Sequence, residues 1–261
     1  MHNDSAVETI FVTGGGRGIG RAVALDLAKS STASLVLVSR TGNCQSVAAE
    51  CNLVRSGAAR AMPCDLSQAG SERDELYRAI EDADGPIGLV HAASTLGPTG
   101  PFAEISIDDC WKAIETNLGA TLRLVRAAVP RMVRERAGRL VLFGGGGAAY
   151  GYPNFMSYAL TKVALVRFVE TLALELGDEG ASVTIIAPGA NDTDMLSEVR
   201  RAGGIVKTTV SIEEPCRLVR RLLLEDARGL HGRFVHVRDT WSTESARALS
   251  PDHWKLRRIE S

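Results

Sequence analysis

The sequence predicts an α/β protein in which helices cover both faces of a parallel sheet of about seven strands. Short apolar runs rich in β-branched residues alternate with segments of helical periodicity. The first apolar run ends in a glycine-rich turn that leads into a helix. No repeat, low-complexity tract or Pro/Ser-rich linker divides the 261 residues, so 1–261 are expected to form a single doubly wound domain.

The first half of the chain predicts four strands and the helices between them. The first strand is Thr9–Val12, and the apolar residues after the glycine turn follow helical spacing. The order then continues with a strand at Ser34–Val38, a helix from about Gln45, a strand ending at Cys64, a helix from Ser67 and a strand over 88–91.

The second half continues the alternation with longer helices. It predicts a helix over 107–136, a strand over 139–143, a helix over 155–176, a strand over 182–187, a helix over 212–225 and a strand over 233–237. The tail 239–261 breaks the periodicity and is expected to be irregular. It would pack on the surface or on a neighbouring subunit, or cover a substrate pocket.

Composition excludes several classes of partner. Lys and Arg number 30 against 31 Asp and Glu, so no excess positive charge attracts nucleic acid or an anionic membrane. The polar, acidic start and the absence of a long apolar stretch favour a cytoplasmic protein. The five scattered cysteines contain no CxxC pair, so neither a disulfide framework nor a metal site is expected.

The glycine turn between the first strand and helix is a candidate dinucleotide site. Glycines in such a turn let the chain approach a pyrophosphate and start a helix whose free N–H groups face the anion. The spacing GxxxGxG differs from the GxGxxG pattern, and such a turn can also be purely structural. The candidate cofactor-binding residues here are Gly14, Arg17, Gly18, Ile19 and Gly20.

The end of the second strand indicates which dinucleotide is preferred. An NAD site places Asp or Glu there to bind the ribose 2′-hydroxyl, whereas this chain has Ser39 and Arg40. A hydroxyl and a guanidinium, with Arg17 as a second positive charge, would instead hold a 2′-phosphate. NADP(H) is therefore expected over NAD(H), the alternative being that both arginines are solvated surface residues.

Tyr158 and Lys162 stand four residues apart and share one face of a helix. A phenol beside an ammonium suits acid/base chemistry at an alcohol or carbonyl, because the positive charge stabilises phenolate. The pattern predicts that the pKa of Tyr158 lies below its usual value of ~10.

Taken with the segments around them, these motifs resemble the short-chain dehydrogenase/reductase family. Residues 13–20 match its TGxxxGxG turn, and 158–162 match its YxxxK. Asp65, followed by Leu66, is similar to the family's third-strand aspartate that meets adenine, and Asn117 to its structural and proton-relay asparagine. The last motif, PGxxxT at the nicotinamide, is formed by Pro188, Gly189 and Thr193.

The resemblance implies a Rossmann-like fold and hydride transfer to or from a nicotinamide. It makes Tyr158 the acid/base and places Lys162 on the ribose hydroxyls of the cofactor. Ala92 belongs to the candidate cofactor-binding residues, in a His91–Ser94 segment that stands where the family usually has NNAG. His91 itself is interpreted as a satisfied polar residue at a strand end.

One departure from the family pattern concerns the residue that hydrogen-bonds the substrate oxygen. Family members usually carry a hydrogen-bonding serine thirteen residues before the tyrosine, and that position is Gly145 here. The glycines of 144–147 can be read as a flexible, close-approach loop or as the loss of a donor. If the following helix already includes Asn154, its amide lies on the face of Tyr158 and could replace the serine. Serine introduced at position 145 would then restore part of the activity lost with Asn154.

Two functions remain open at this stage. The first is an NADP(H)-dependent oxidoreductase acting on a small carbonyl or secondary alcohol, expected to be polar because the segment 191–204 has the composition of a polar lid. The second is a cofactor-binding protein with impaired catalysis that serves as a sensor or partner subunit. The apolar residues on the helices 107–136 and 155–176 favour a homodimer or homotetramer.

Overall fold

The computed structural model describes residues 7–178, 180–206 and 208–257. Its centre is a seven-stranded sheet in which every pair of neighbours is parallel, in the order β3-β2-β1-β4-β5-β6-β7. The predicted fold class is confirmed. The strands are β1 (Thr9–Thr13), β2 (Ser34–Ser39), β3 (Ala59–Pro63), β4 (Ile87–His91), β5 (Arg139–Phe143), β6 (Ser182–Ala187) and β7 (Phe234–His236).

Helices cover both faces of the sheet and form two separate apolar layers. Side chains alternate along each strand, so Ile10 and Val12 of β1 enter one layer and Phe11 enters the other. None of the described helices is long and apolar enough to cross a membrane. The α-helices are α1 (Gly18–Ser30), α2 (Asn43–Val54), α3 (Ser71–Glu81), α4 (Ile107–Ile114), α5 (Ala120–Glu135), α6 (Gly146–Ala149), α7 (Met156–Leu176), α8 (Asp194–Arg201), α9 (Glu213–Leu224) and α10 (Thr243–Arg247).

The topology fixes where a ligand site can form. The chain moves outward from β1 through β2 to β3, then returns to the other side of β1 for β4. The strand order therefore reverses between β1 and β4. In open α/β sheets this reversal leaves a crevice at the carboxyl ends of the strands.

The long helix predicted over 107–136 is interrupted. It consists of α4 and α5 joined by the π-helical turn Glu115–Gly119, which contains Asn117. Single π-turns are frequent at functional sites and have no clear periodicity signal, which is why the sequence predicts one uninterrupted helix.

The tail is irregular apart from one short helix, and it packs on its own chain; 258–261 lie outside the described residues. It contains α10, which the Ser242 hydroxyl caps. The guanidinium of Arg233 donates to the carbonyl oxygens of Ser250 (3.0 Å) and His253 (2.6 Å), and the Phe234 N–H donates to that of Trp254 (2.8 Å). The tail therefore covers the outer edge of β7.

Candidate active site

A cavity of about 750 Å³ opens at the carboxyl ends of β1 to β4, where the strand order reverses. Most residues predicted to bind a cofactor line it, but four of them are not part of its lining: Tyr158, Lys162, Pro188 and Gly189. The lining includes Gly14, Arg17, Gly18, Ile19, Gly20, Ser39, Arg40, Asp65, Leu66, Ala92 and Thr193.

The glycines of the turn serve packing as well as ligand access. A Cβ on Gly20 would lie 2.3 Å from the carbonyl oxygen of Gly14, and one on Gly14 would lie 2.7 Å from the Ala93 nitrogen. Gly18 differs, because its Cβ would meet only Thr193, at 3.7 Å or beyond. The first turn of α1 has no acidic side chain, and Arg17 does not cap it. The cradle therefore fits an anionic group at the start of α1.

The structure corrects the role expected of Ser39. Its hydroxyl donates to the Thr41 carbonyl oxygen (2.5 Å) and accepts from the Cys44 N–H (3.2 Å), so it orders the β2–α2 turn and its proton is not free for a phosphate. Arg40 is exposed and makes no ion pair or hydrogen bond with the described residues. Asn43, at the start of α2, also lines the cavity. The sequence predicts that this helix begins at about Gln45, so Asn43 was not identified as a site residue.

Arg17 is not a free cation in this arrangement. Its guanidinium lies 3.6 Å from the Asp194 carboxylate, and both side chains are largely exposed. The pair joins the glycine turn to the start of α8. An exposed pair of this kind contributes little energy.

Asp65 and Leu66 follow β3, which ends at Pro63, and lie at one wall of the cavity. The Asp65 carboxylate accepts from the N–H (3.0 Å) and the hydroxyl (2.6 Å) of Ser67. These two hydrogen bonds from Ser67 fix the position of the Asp65 carboxylate.

His91 is buried among hydroxyl groups behind the cavity. Its Nδ1 lies 2.6 Å from the Thr13 hydroxyl and its Nε2 lies 2.7 Å from the Thr121 hydroxyl, which also donates to the Asn117 carbonyl oxygen (2.6 Å). Burial, with a smaller effect of the Lys162 charge, lowers the pKa of His91 to about 3. The ring is neutral and satisfied, in agreement with its structural interpretation.

Asn117 connects the β4 loop to α7. Its side-chain oxygen accepts from the Thr95 N–H (2.8 Å), and its amide donates to the Thr95 carbonyl oxygen (2.8 Å) and the Thr161 hydroxyl (3.3 Å). These bonds satisfy a buried amide and hold the loop against the helix that carries Tyr158.

Tyr158 and Lys162 lie together, but their pKa values differ from the expectation. The Lys162 ammonium is 5.4 Å from the centre of the Tyr158 ring and donates to the Phe143 carbonyl oxygen (2.9 Å). Burial lowers the pKa of Lys162 to about 8. Burial, and to a smaller extent Tyr152, raises the pKa of Tyr158 to about 12. Loss of solvation is the main cause for both groups, so the phenol keeps its proton at neutral pH.

Gly145 faces the tyrosine hydroxyl, as the count along the chain predicts. A Cβ there would lie 3.0 Å from the Tyr158 Oη, and the φ angle of +152° disfavours any side chain. The preceding glycine, Gly144, serves packing, since a Cβ there would lie 2.7 Å from the Phe234 ring. The glycines therefore shape the loop and leave the Tyr158 hydroxyl uncovered at the same time.

The same geometry argues against the expectation that serine at position 145 would restore activity. The added Cβ would press on the hydroxyl that it is meant to assist, from a backbone conformation that L-residues rarely adopt.

Comparison with known proteins agrees with this geometry. The family model for short chain dehydrogenases matches residues 8–203. The 3-oxoacyl-[acyl-carrier-protein] reductase MabA of Mycobacterium bovis is 27% identical over 88% of this chain and 90% of its own length. The short-chain reductase protein NovJ of Streptomyces niveus is 32% identical over 74% of this chain and 73% of its own.

Solved structures show the same likeness. A short chain dehydrogenase from Shigella flexneri complexed with NADP superposes with a TM-score of 0.81 at 25% identity, over 90% of this chain and 98% of that one. An NAD(P)-dependent gluconate 5-dehydrogenase from Beutenbergia cavernae with bound NADP superposes with a TM-score of 0.81 at 26% identity, over 89% of this chain and 95% of that one.

The chain belongs to the short-chain dehydrogenase/reductase family. The resemblance drawn from the motifs is thus confirmed, and the protein is an oxidoreductase of that family. The glycine at position 145 is then a departure from the serine that members usually carry.

Asn154 does not occupy the place that would let it replace this serine. α7 begins at Met156, and Asn154 stands before it with a φ of +68° and an exposed side chain. Its carbonyl oxygen accepts from the Gly100 N–H (3.0 Å). The premise that the helix includes Asn154 is wrong, because its left-handed conformation belongs to the turn that leads into α7.

The segment expected to be a polar lid has an apolar inner face. α8 is capped by the Thr193 hydroxyl, and its Val199 is buried against Leu96 and Phe155. An eight-residue helix gives too short a pattern for its apolar face to stand out against its charged residues. We call the group it joins the lid cluster: Leu96, Tyr152, Phe155, Tyr158, Met195, Val199, Ala202 and Val206.

Proposed function

We propose that this short-chain dehydrogenase/reductase is NADP(H)-dependent and interconverts a carbonyl compound and a secondary alcohol. The observation that carries the proposal is that the cofactor cavity adjoins the lid cluster. Met195 lines the cofactor cavity and also packs in the lid cluster with Tyr158. A cofactor held at the glycine turn and a substrate against Tyr158 would therefore be neighbours.

The residues of the cavity fit NADP(H). The glycine turn and the start of α1 would hold the pyrophosphate, and Arg40 would hold the 2′-phosphate. Lys162 would bind the nicotinamide ribose, as the family pattern implies. The bound nicotinamide supplies or accepts a hydride. The NADP complexes of the similar Shigella flexneri and Beutenbergia cavernae proteins support this choice of cofactor.

Tyr158 moves the proton. In reduction its hydroxyl donates a proton to the substrate oxygen, and in oxidation it removes one. The raised pKa of Tyr158, about 12, keeps the phenol protonated at neutral pH, which is the form that donates a proton to a carbonyl oxygen during reduction. Asn117 acts by holding the β4 loop and α7 in register around it.

The apolar inner face of the lid supports a substrate whose carbonyl is attached to an apolar body. This replaces the polar substrate expected from composition. The 3-oxoacyl reductase activity in the name of MabA is compatible with such a substrate.

We also propose that the protein is a homo-oligomer. Trp111 on α4 and Leu160 on α7 are exposed apolar residues of the kind that a second copy would cover.

Replacing Tyr158 by Phe tests the proposal. Tyr158→Phe removes only the hydroxyl, so NADPH should bind with unchanged affinity while carbonyl-dependent NADPH oxidation falls below detection. Tyr150→Phe, at a side chain that is 81% exposed, is the matched control and should behave as the unmodified protein.

The alternative function, a cofactor-binding sensor or partner subunit with impaired catalysis, is favoured by Gly145. It predicts tight NADPH binding with no carbonyl reduction by the unmodified chain. The same assay therefore separates the two functions.

A further inference from the structure

A second phenol stands beside the proposed acid/base. Tyr152 stacks on Phe155 with ring centres 4.5 Å apart and planes inclined by 18°. Both rings belong to the lid cluster with Tyr158. Tyr152 also contributes to the raised pKa of Tyr158, which requires the two phenols to lie within electrostatic range. Tyr152 is thus a stacked aromatic residue of the cluster that also contains Tyr158.

The hydroxyl groups of both tyrosines are uncommitted. Neither forms a hydrogen bond with another described residue. Burial raises the pKa of Tyr152, so its hydroxyl keeps its proton at neutral pH and can donate it. A partly buried hydroxyl without a protein partner gains most from a ligand oxygen, because burial removes part of its hydration.

The other side chains near Tyr158 that could donate a hydrogen bond to a substrate are either engaged with the protein or exposed. Ser157 is fully buried, and its hydroxyl lies 3.5 Å from the Leu96 carbonyl oxygen. Ser94 donates to the Asn117 side chain (3.1 Å). Tyr150 and Asn154 are exposed. Among the side chains described around this loop, Tyr152 alone combines a free donor with a place in the pocket of Tyr158.

We propose that Tyr152 donates the second hydrogen bond to the substrate oxygen, in place of the serine that Gly145 has replaced. The inference rests on the proposed reductase function and adds a catalytic residue to it. Gly145 leaves the Tyr158 hydroxyl uncovered on the serine side, and a phenol reaches further from the backbone than a serine hydroxyl does. Stacking on Phe155 restricts the motion of the Tyr152 ring, which lowers the cost of orienting this donor towards developing charge.

The test compares three matched variants of the full chain: Tyr152→Phe, Tyr150→Phe and Tyr158→Phe. NADPH oxidation is followed with acetoacetyl-coenzyme A and with 9,10-phenanthrenequinone, a flat dicarbonyl suited to an apolar pocket. NADPH affinity comes from its fluorescence, and folding from the thermal midpoint. Phe keeps the ring that stacks on Phe155, so no loss of fold is expected.

We expect Tyr152→Phe to lower kcat by about a hundredfold with NADPH affinity and thermal midpoint unchanged. Its isotope effect with NADPH deuterated at both C4 positions should rise, because the chemical step becomes limiting. A purely structural role would leave that isotope effect unchanged. Tyr150→Phe should match the unmodified chain in every measurement.

Two results would overturn the inference in different ways. If Tyr152→Phe keeps kcat within twofold while Tyr158→Phe is inactive, the reductase function stands and the second donor is a backbone N–H or water. If the unmodified chain oxidises NADPH with neither probe, or Tyr158→Phe is fully active, the proposed function fails and this inference fails with it.

Discussion

The cofactor end and the substrate end of the cavity are built by different means. At the cofactor end, main-chain contacts set the shape: Gly14 and Gly20 approach the backbone so closely that no side chain fits. At the substrate end, side chains from the 145–158 loop and α8 meet in the lid cluster. A site made of backbone requires particular residues at fixed spacing, whereas a site made of packed side chains allows many solutions.

The largest expected effect concerns cofactor choice at the first of these ends. Arg40→Ala removes the guanidinium that we propose to hold the 2′-phosphate, and a charge-assisted contact of this kind is worth about 1.5–3 kcal/mol, so NADPH affinity should fall roughly ten- to a hundredfold. NADH affinity should stay the same. Fluorescence titration with both cofactors checks this, and tighter binding of NADH than of NADPH by the unmodified chain would contradict it.

The two ends also differ in how well the sequence predicts them. The glycine turn, Asp65 and the strand order follow from local spacing, because each depends on a few adjacent residues. The inner face of α8 and the burial that raises the pKa of Tyr158 depend on packing between segments far apart in the sequence. Periodicity in a single sequence carries no information on such contacts.

A smaller effect is expected at the substrate end, where Gly145→Ala tests the open space above Tyr158. The new Cβ would stand 3.0 Å from the phenol oxygen and force it to shift. We expect kcat to fall about tenfold, because small displacements of a reacting group are costly, with NADPH affinity unchanged.

The matched control for this change is Gly146→Ala, whose Cβ would have no atom within 4 Å. It should leave kcat unchanged. Equal losses in the two variants would show that loop flexibility, and not access to Tyr158, matters at position 145.

His91 lies behind both ends and gives the stability a defined pH dependence. Its pKa falls from 6.5 to about 3 on folding, so the unfolded chain binds the extra proton and stability is lost as pH falls below 6.5. Between pH 6.5 and 5.5 the loss should be about 1 kcal/mol. In His91→Asn this part of the pH dependence should vanish.

Urea denaturation at the two pH values measures the effect, and His253→Asn, at an exposed position, is the control. An unchanged slope in His91→Asn would mean that another group causes the acid sensitivity.

The smallest effect is expected where the two ends meet, at the ion pair between Arg17 and Asp194. Asp194→Asn removes a negative charge beside the glycine turn and frees Arg17 for the cofactor phosphates. Since exposed pairs contribute about 0–1 kcal/mol, NADPH should bind only two- to threefold more tightly, and the gain should disappear in high salt. Asp192→Asn, whose carboxylate is 4.0 Å from Arg200, is the control and should not alter binding. Weaker NADPH binding by Asp194→Asn at low salt would mean that the pair positions the lid over the cofactor, and that the substrate end contributes to holding the dinucleotide.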